Sequence, residues 1–232
     1  IRELLKAIPN TENTDENALY KQRIDERNNF DKLFIKQYPN DDRSLQLATH
    51  AVQYSFDVKD FFMVKTMSEF VLNTHGVIYD FVGNSSVKKA DTSYPIKKLS
   101  PTALKQVQIA SQLSAHSLYE QKRYQLAEDA YVLALHYADK KINTWGEIRN
   151  LLASTIYFQA QTYKIKQPNT AVFHLLRVGA TVPESTYRVT AEFDAANLLL
   201  ENQIWQQAID VLLNIQKHFP THEYTASIPA KL

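Results

Sequence analysis

The amino-acid sequence predicts an all-α protein built as a stack of antiparallel helix pairs. Glycine occurs only four times in 232 residues, whereas strand-and-turn architectures usually place glycine at many of their turns. Apolar residues recur at helical spacing, as in ENQIWQQAIDVLLNIQKHFP (201–220), where an amphipathic helix ends at Phe219-Pro220. The same arrangement occurs about four times along the chain, and this internal repeat is the main evidence for the predicted fold.

The first predicted helix is long, about 15–38. Thr14-Asp15 offers an N-cap, because a side-chain oxygen there can accept from the unpaired amides of the first turn. Tyr38-Pro39 ends the helix, since proline cannot continue it and restricts the residue before it. The stretch 31–42 resembles 211–223, in which a helix also ends at an aromatic-proline pair and a new helix follows.

Each copy of the repeat consists of an apolar helix end, a short polar turn, an aromatic position and a second helix. The copies lie at 55–72, 118–135, 162–183 and 199–216. Their aromatic position holds Phe61, Tyr124, Pro168 and Trp205. Three copies have alanine three residues later, at Ala127, Ala171 and Ala208. Small residues at this position allow two antiparallel helices to approach closely, while large ones fill the space between pairs.

This pattern resembles the tetratricopeptide repeat, a helix–turn–helix unit of 34 residues. The resemblance covers windows of about 45–78, 108–141, 152–185 and 189–222, and it implies a right-handed superhelical α-solenoid forming one domain over 1–232. The windows start 63, 44 and 37 residues apart, so the array is irregular. The two longer insertions correspond to 76–102 and 140–149.

In this family the first helices of successive pairs line a concave groove that binds peptides. Transferred to this chain, the resemblance implies the groove residues Gln112, His116, Tyr119, Ile156, Tyr163, Phe193 and Asn197. Aromatic side chains with a few amides and a histidine suit the docking of a peptide or helix, since a few aromatic anchors carry most of the binding energy. The alternative is that Tyr119, Tyr163 and Phe193 pack between neighbouring repeats.

Composition argues against several other classes of function. Twenty-six Lys and Arg balance 25 Asp and Glu, so no overall charge favours nucleic acid. No apolar run approaches the roughly 20 residues that span a bilayer. The sequence has no cysteine, which removes disulfides, thiolate metal sites and a cysteine nucleophile.

No catalytic or cofactor motif is present. The seven histidines include no HExxH pair, and there is no nucleophile elbow, Walker loop or dinucleotide fingerprint. We therefore expect no enzyme activity, no metal and no cofactor. The insertion 76–102 carries four lysines and three aromatic residues, which suits either a solvated loop or a patch for an anionic partner.

The expected function is a non-catalytic scaffold that binds a protein or peptide partner in the groove. The alternatives are a cytosolic sensor or regulatory array attached to an effector domain, and, less favoured, an enzyme with its site at 76–102. A third reading is a spacer between outer domains.

The aromatic-proline junctions are similar to those of bacterial cell-envelope repeat proteins, including outer-membrane assembly lipoproteins. This resemblance and the lack of cysteine favour the periplasm over the cytoplasm. Both ends of the chain resemble interrupted repeats, so we expect the natural protein to continue with further repeats.

Overall fold

The protein is an α-solenoid in the computed structural model, which describes residues 14–77, 99–141 and 143–231. These ranges contain ten α-helices, a short 3₁₀-helix at Ile228–Ala230 and no strand. Each of the first nine helices packs against its neighbours in sequence, as the repeat predicts. The helices are α1 (Thr14–Gln37), α2 (Asp42–Asp57), α3 (Phe61–Thr74), α4 (Pro101–Glu120), α5 (Tyr124–Tyr137), α6 (Asn143–Tyr163), α7 (Pro168–Thr181), α8 (Arg188–Glu201), α9 (Trp205–His218) and α10 (Glu223–Ser227).

Helices α2 to α9 form four pairs, and the second helix of each pair begins at the aromatic position of the repeat. The alanines at Ala127, Ala171 and Ala208 have no exposed surface. Their small side chains therefore lie where the packed helices meet, which is the role that the sequence pattern predicts for them.

A three-residue turn with one conformation joins the two helices in three of the four pairs. Its middle residue has a positive φ each time, at Lys59 (59°), Lys122 (59°) and Gln203 (62°). The amide of the third turn residue donates to the carbonyl five residues earlier, as Arg123 N does to Leu118 O at 2.9 Å. This left-handed ending satisfies carbonyls that the last helical turn leaves unpaired, and it stops the helix at a defined residue.

The turn between α6 and α7 is different, because it spans four residues, 164–167. Within this turn, Gln167 N donates to Tyr163 O at 2.8 Å, and none of the four residues has a positive φ. Helix α6 is also longer than α8, 21 residues against 14. Residues 143–149 of the predicted insertion 140–149 are its additional first turns.

The aromatic-proline junctions share a hydrogen-bond pattern. The hydroxyl six residues after the aromatic donates to the aromatic's carbonyl, from Ser44 to Tyr38 and from Thr225 to Phe219, at 2.6 Å in both cases. The amide three residues after the aromatic donates to the same carbonyl, at 3.1 Å in both. The junction before α2 and the junction before α10 are therefore equivalent, as the likeness of 31–42 to 211–223 predicts.

The insertion 76–102 falls largely outside the described residues. Ser100 caps α4 by accepting from Ala103 N at 3.1 Å, and Pro101 occupies the first helical turn, where a missing amide costs nothing. The lysines and aromatic residues between 78 and 98 lie outside the described ranges. Lys140 and Lys141 are described and exposed.

Gly179 lets α7 approach a buried charged pair on α8. Glu192 is only 5% exposed, and its Oε1 accepts from Arg188 Nε at 2.7 Å while its Oε2 accepts from Asn214 Nδ2 at 3.1 Å. A Cβ on Gly179 would lie 2.9 Å from Glu192 Oε1 and 3.0 Å from Arg188 Nε. Because hydrogen bonds hold both oxygens of the carboxylate, a side chain at residue 179 would force a buried charge away from its partners.

We predict that Gly179→Ala lowers the free energy of unfolding by about 2 kcal/mol, since overpacking here displaces a paired buried charge. Gly146→Ala is the matched control: Gly146 lies in α6 with no atom within 4 Å of its added Cβ. Alanine favours the helix there, so this variant should gain up to about 1 kcal/mol. Urea denaturation measures the free energy of unfolding of both variants. Equal changes in the two variants would contradict the close packing at Gly179.

The repeated turn gives a second prediction about stability. Glycine adopts a positive φ without the steric cost that a Cβ imposes. Lys122→Gly should therefore be more stable than Lys122→Ala by about 1 kcal/mol. Thermal and urea denaturation of the two variants check this, and an alanine variant as stable as the glycine variant would exclude strain at this turn.

Candidate peptide-binding surface

The predicted groove residues of α4 form a hydrogen-bonded group with α5. His116 Nδ1 lies 2.8 Å from the hydroxyl of Tyr131, and its Nε2 lies 3.2 Å from Gln112 Nε2. With the Gln112 amide in this orientation, its NH₂ donates to Nε2, so the proton of the neutral ring is on Nδ1 and is donated to Tyr131. Tyr131 is fully buried, which anchors the whole group to the core.

Burial sets the protonation of this group. Loss of solvent lowers the pKa of His116 below its ordinary value of 6.5, an effect that the charge of Glu120 partly opposes. Burial likewise raises the pKa of the Tyr131 hydroxyl. Both groups are therefore neutral near pH 7, and Gln112 and His116 present a polar but uncharged surface.

Tyr119 contacts three aromatic rings from two neighbouring helices. Its ring centroid lies 5.8 Å from Tyr124, 6.4 Å from Tyr131 and 6.2 Å from Phe158. Tyr124 in turn stacks on Phe158 at 5.6 Å. Contacts with both α5 and α6 therefore hold the Tyr119 ring, which stays partly exposed.

The ring contacts continue in both directions along the first helices of the pairs. Phe56 of α2 lies 6.0 Å from His116. Tyr187, at the start of α8, lies 5.6 Å from Tyr157 and 6.2 Å from Phe158. We call this connected set the aromatic row; it comprises Phe56, His116, Tyr119, Tyr124, Tyr131, Tyr157, Phe158 and Tyr187.

Hydrogen bonds orient the α8 end of the aromatic row. The Tyr157 hydroxyl donates to Asp194 Oδ2 at 2.8 Å, and Gln161 Nε2 donates to the same oxygen at 3.3 Å. Burial and the neighbouring Asp194 carboxylate raise the pKa of Tyr157, so its hydroxyl keeps its proton. The phenol, amide and carboxylate give this end of the row both donors and an acceptor.

The structure places the predicted residues of α6 away from the aromatic row. Ile156 has no exposed surface and lies in the core, while Tyr163 stacks on His174 of α7 at 5.4 Å. The pair of α6 and α7 differs from the other three because its turn has four residues, so a count back from Pro168 through a three-residue turn does not give equivalent positions on α6. Tyr157, the residue after Ile156, belongs to the aromatic row.

Phe193 and Asn197 of α8 contact the C-terminal segment. Phe193 stacks on Tyr224 of α10 at 4.5 Å, and the Lys231 ammonium lies 5.3 Å from the Phe193 ring centre. Lys231 Nζ also donates to Asn197 Oδ1 at 2.9 Å. Residues 223–231 therefore cover both predicted groove positions of this repeat.

The groove residues implied by the sequence do not include six members of the aromatic row, Phe56, Tyr124, Tyr131, Tyr157, Phe158 and Tyr187, or the neighbouring Gln161 and Asp194. Tyr124 holds the aromatic position of the repeat, and Tyr157 and Phe158 directly follow Ile156, the position that the resemblance implies. Adjacent aromatic residues on a first helix, Tyr157-Phe158, were the available signal. Nothing local to Tyr187 or Asp194 distinguishes them in the sequence, since their neighbours come from another repeat.

The described ranges contain neither of two other kinds of site. No group of three or more His, Asp or Glu side chains there is arranged to hold a metal ion. None of the helices in those ranges combines the length and apolar character needed to cross a membrane.

The chain has no significant match among protein-family models, curated proteins or solved structures.

The buried histidine gives a prediction about pH. Because the folded pKa of His116 is below 6.5, the unfolded chain binds a proton at a higher pH than the folded chain. Stability therefore falls as pH decreases from 6.5 towards the folded pKa. We expect the fall between pH 7.5 and 5.5 to be smaller in His116→Gln, measured by urea denaturation at each pH.

Proton NMR of the His116 ring provides the direct check in the folded wild type. A midpoint below 6.5 is expected. A midpoint at or above 6.5 would contradict the buried, neutral arrangement with Gln112 and Tyr131.

Proposed function

We propose that this protein is a non-catalytic interaction module, a TPR-like array that binds a peptide or helix of a partner along the aromatic row. The proposal depends on the aromatic row, a connected set of rings from α2, α4, α5, α6 and Tyr187, the residue directly before α8. Aromatic side chains offer large apolar contact area at low entropic cost, which makes them frequent anchors of protein–protein recognition.

The rings of the aromatic row are held in place before any partner arrives. Tyr119 contacts three other rings, and Tyr157 donates to Asp194. A partner therefore does not need to immobilise these side chains, and that ordering cost is absent from its binding free energy. The amides of Gln112 and Gln161 and the imidazole of His116 lie among the rings, where they can form hydrogen bonds with the backbone of a bound segment.

The repeated three-residue turn supports the assignment to a TPR-like array. Its left-handed middle residue recurs at Lys59, Lys122 and Gln203, with the same hydrogen bonds. A repeat that is detectable in the backbone as well as in the sequence pattern favours a duplicated unit, and stacked units typically present an extended binding face.

We also propose a bacterial cell-envelope setting for this module. The aromatic-proline junctions at Tyr38-Pro39 and Phe219-Pro220 support it by their resemblance to envelope repeat proteins, and the absence of cysteine is compatible with an oxidising compartment.

Selection from a displayed peptide library on the purified chain tests the binding proposal. The tightest peptide would be measured by fluorescence anisotropy against the wild type, Tyr187→Ala and Trp205→Ala. Tyr187 belongs to the aromatic row, whereas Trp205 is 57% exposed at the start of a second helix. We expect Tyr187→Ala to weaken binding at least tenfold, about 1.4 kcal/mol, and Trp205→Ala to leave it unchanged.

Melting curves first establish that both variants are folded. Equal affinity of Tyr187→Ala and the wild type would move binding off the aromatic row. Failure to select any specific peptide would favour the spacer reading of the array.

A further inference from the structure

A separate pocket of about 210 Å³ opens between α3 and α4. Its lining includes residues from the first turns of α3, the C-terminal half of α4 and the turn that follows it. None of these residues belongs to the aromatic row. The pocket therefore lies at the contact between two successive helix pairs and is independent of the proposed peptide-binding surface.

One side of this pocket is apolar. Phe61, Phe62 and Leu118 line it, and Phe62 is 72% exposed although it is a large aromatic residue. A phenylalanine at the mouth of a pocket can cover a planar apolar group, which removes surface of both groups from water.

Ser117 gives the pocket a hydrogen-bond donor that has no acceptor among the described residues. Ser117 is only 3% exposed, and its Oγ accepts from Gln121 Nε2 at 3.1 Å. The hydroxyl proton of Ser117 is thus available for a ligand. Ser114 differs, because its hydroxyl donates to Ala110 O at 2.7 Å.

Two cationic side chains, Lys65 and Arg123, line the pocket, and no acidic residue is among its lining residues in the described part of the chain. Lys65 is only loosely paired, with 3.7 Å between its Nζ and Glu69 Oε1. Arg123 already takes part in another interaction. A guanidinium has five donors, so Arg123 can bind a carboxylate while keeping that contact.

We propose that this pocket binds an aromatic ring bearing a carboxylate. The ring would lie against Phe61, Phe62 and Leu118, and the carboxylate would accept from Arg123 and the Ser117 hydroxyl. Size agrees with this ligand, since a cavity of about 150 Å³ accommodates benzene. Benzoate adds one carboxylate to that ring and fits the larger pocket.

Titration of the ¹⁵N-labelled chain with benzoate, followed by NMR, is the test. We expect amide shifts at Phe62, Ser117 and Gln121, with a roughly millimolar dissociation constant for a ligand of nine non-hydrogen atoms. Benzamide has the same shape without the charge and should bind at least fivefold more weakly.

Variants assign the contacts. Arg123→Gln should weaken benzoate binding at least tenfold, and Phe62→Ala about threefold. Lys122→Gln is the matched control. It removes the neighbouring positive charge, but Lys122 does not line the pocket, so this variant should bind benzoate like the wild type. Melting curves confirm that each variant is folded before it is titrated.

N-acetylphenylalanine distinguishes the two possible sources of the ligand, a free aryl acid and the C-terminus of a peptide. It carries a ring and a carboxylate in the arrangement of a C-terminal phenylalanine. Tighter binding than benzoate would indicate a peptide end, and weaker binding a free aryl acid. The proposal is overturned if benzamide binds as well as benzoate, if Arg123→Gln binds like the wild type, or if no amide near Ser117 shifts.

Discussion

The three-residue turn inside a helix pair is the constraint on which the rest of this structure depends. A left-handed residue at Lys59, Lys122 or Gln203 ends the first helix at one defined carbonyl and sets where the second begins. Because the turn is the same in three pairs, equivalent positions have equivalent surroundings: Leu118 and Leu199 both accept the closing hydrogen bond and are 4% and 2% exposed. The repeat is thus a property of the backbone, whereas the side chains differ from one pair to the next.

The pair of α6 and α7 is the irregular one, and its residues cannot be placed by counting from the other pairs. Its turn, 164–167, has four residues, whereas the turns of the other pairs have three. Ile156, the position implied by the count, lies in the core, and Tyr157 and Phe158 belong to the aromatic row. A helix rotates by about 100° per residue, so an error of one residue in the count exchanges a surface position for a helix contact. The packing of the helices therefore decides this part of the candidate site.

Charged groups at the contacts between helices favour one relative position of the packed helices. Arg177 of α7 donates to Glu128 of α5 at 2.7 Å, which connects two second helices directly. Glu192 of α8 accepts from Arg188 and from Asn214 of α9. Apolar contacts tolerate sliding, whereas a buried carboxylate is costly in any arrangement that leaves it unpaired. These pairs therefore favour the observed packing of the helices over packings in which one helix is shifted along the other.

The sequence by itself determined the fold class, the limits of α1, the buried alanines and the equivalence of the aromatic-proline junctions, because each depends on periodicity or on a local backbone rule. It also names His116 and Tyr119, which belong to the aromatic row and lie in a pair with a regular turn. Only the tertiary structure decided the remainder of the aromatic row, the covering of Phe193 by Tyr224, and the pocket at Ser117. The physical reason is that these features join residues of different repeats, so their geometry depends on turn length and helix packing, neither of which is written in the pattern of any single repeat.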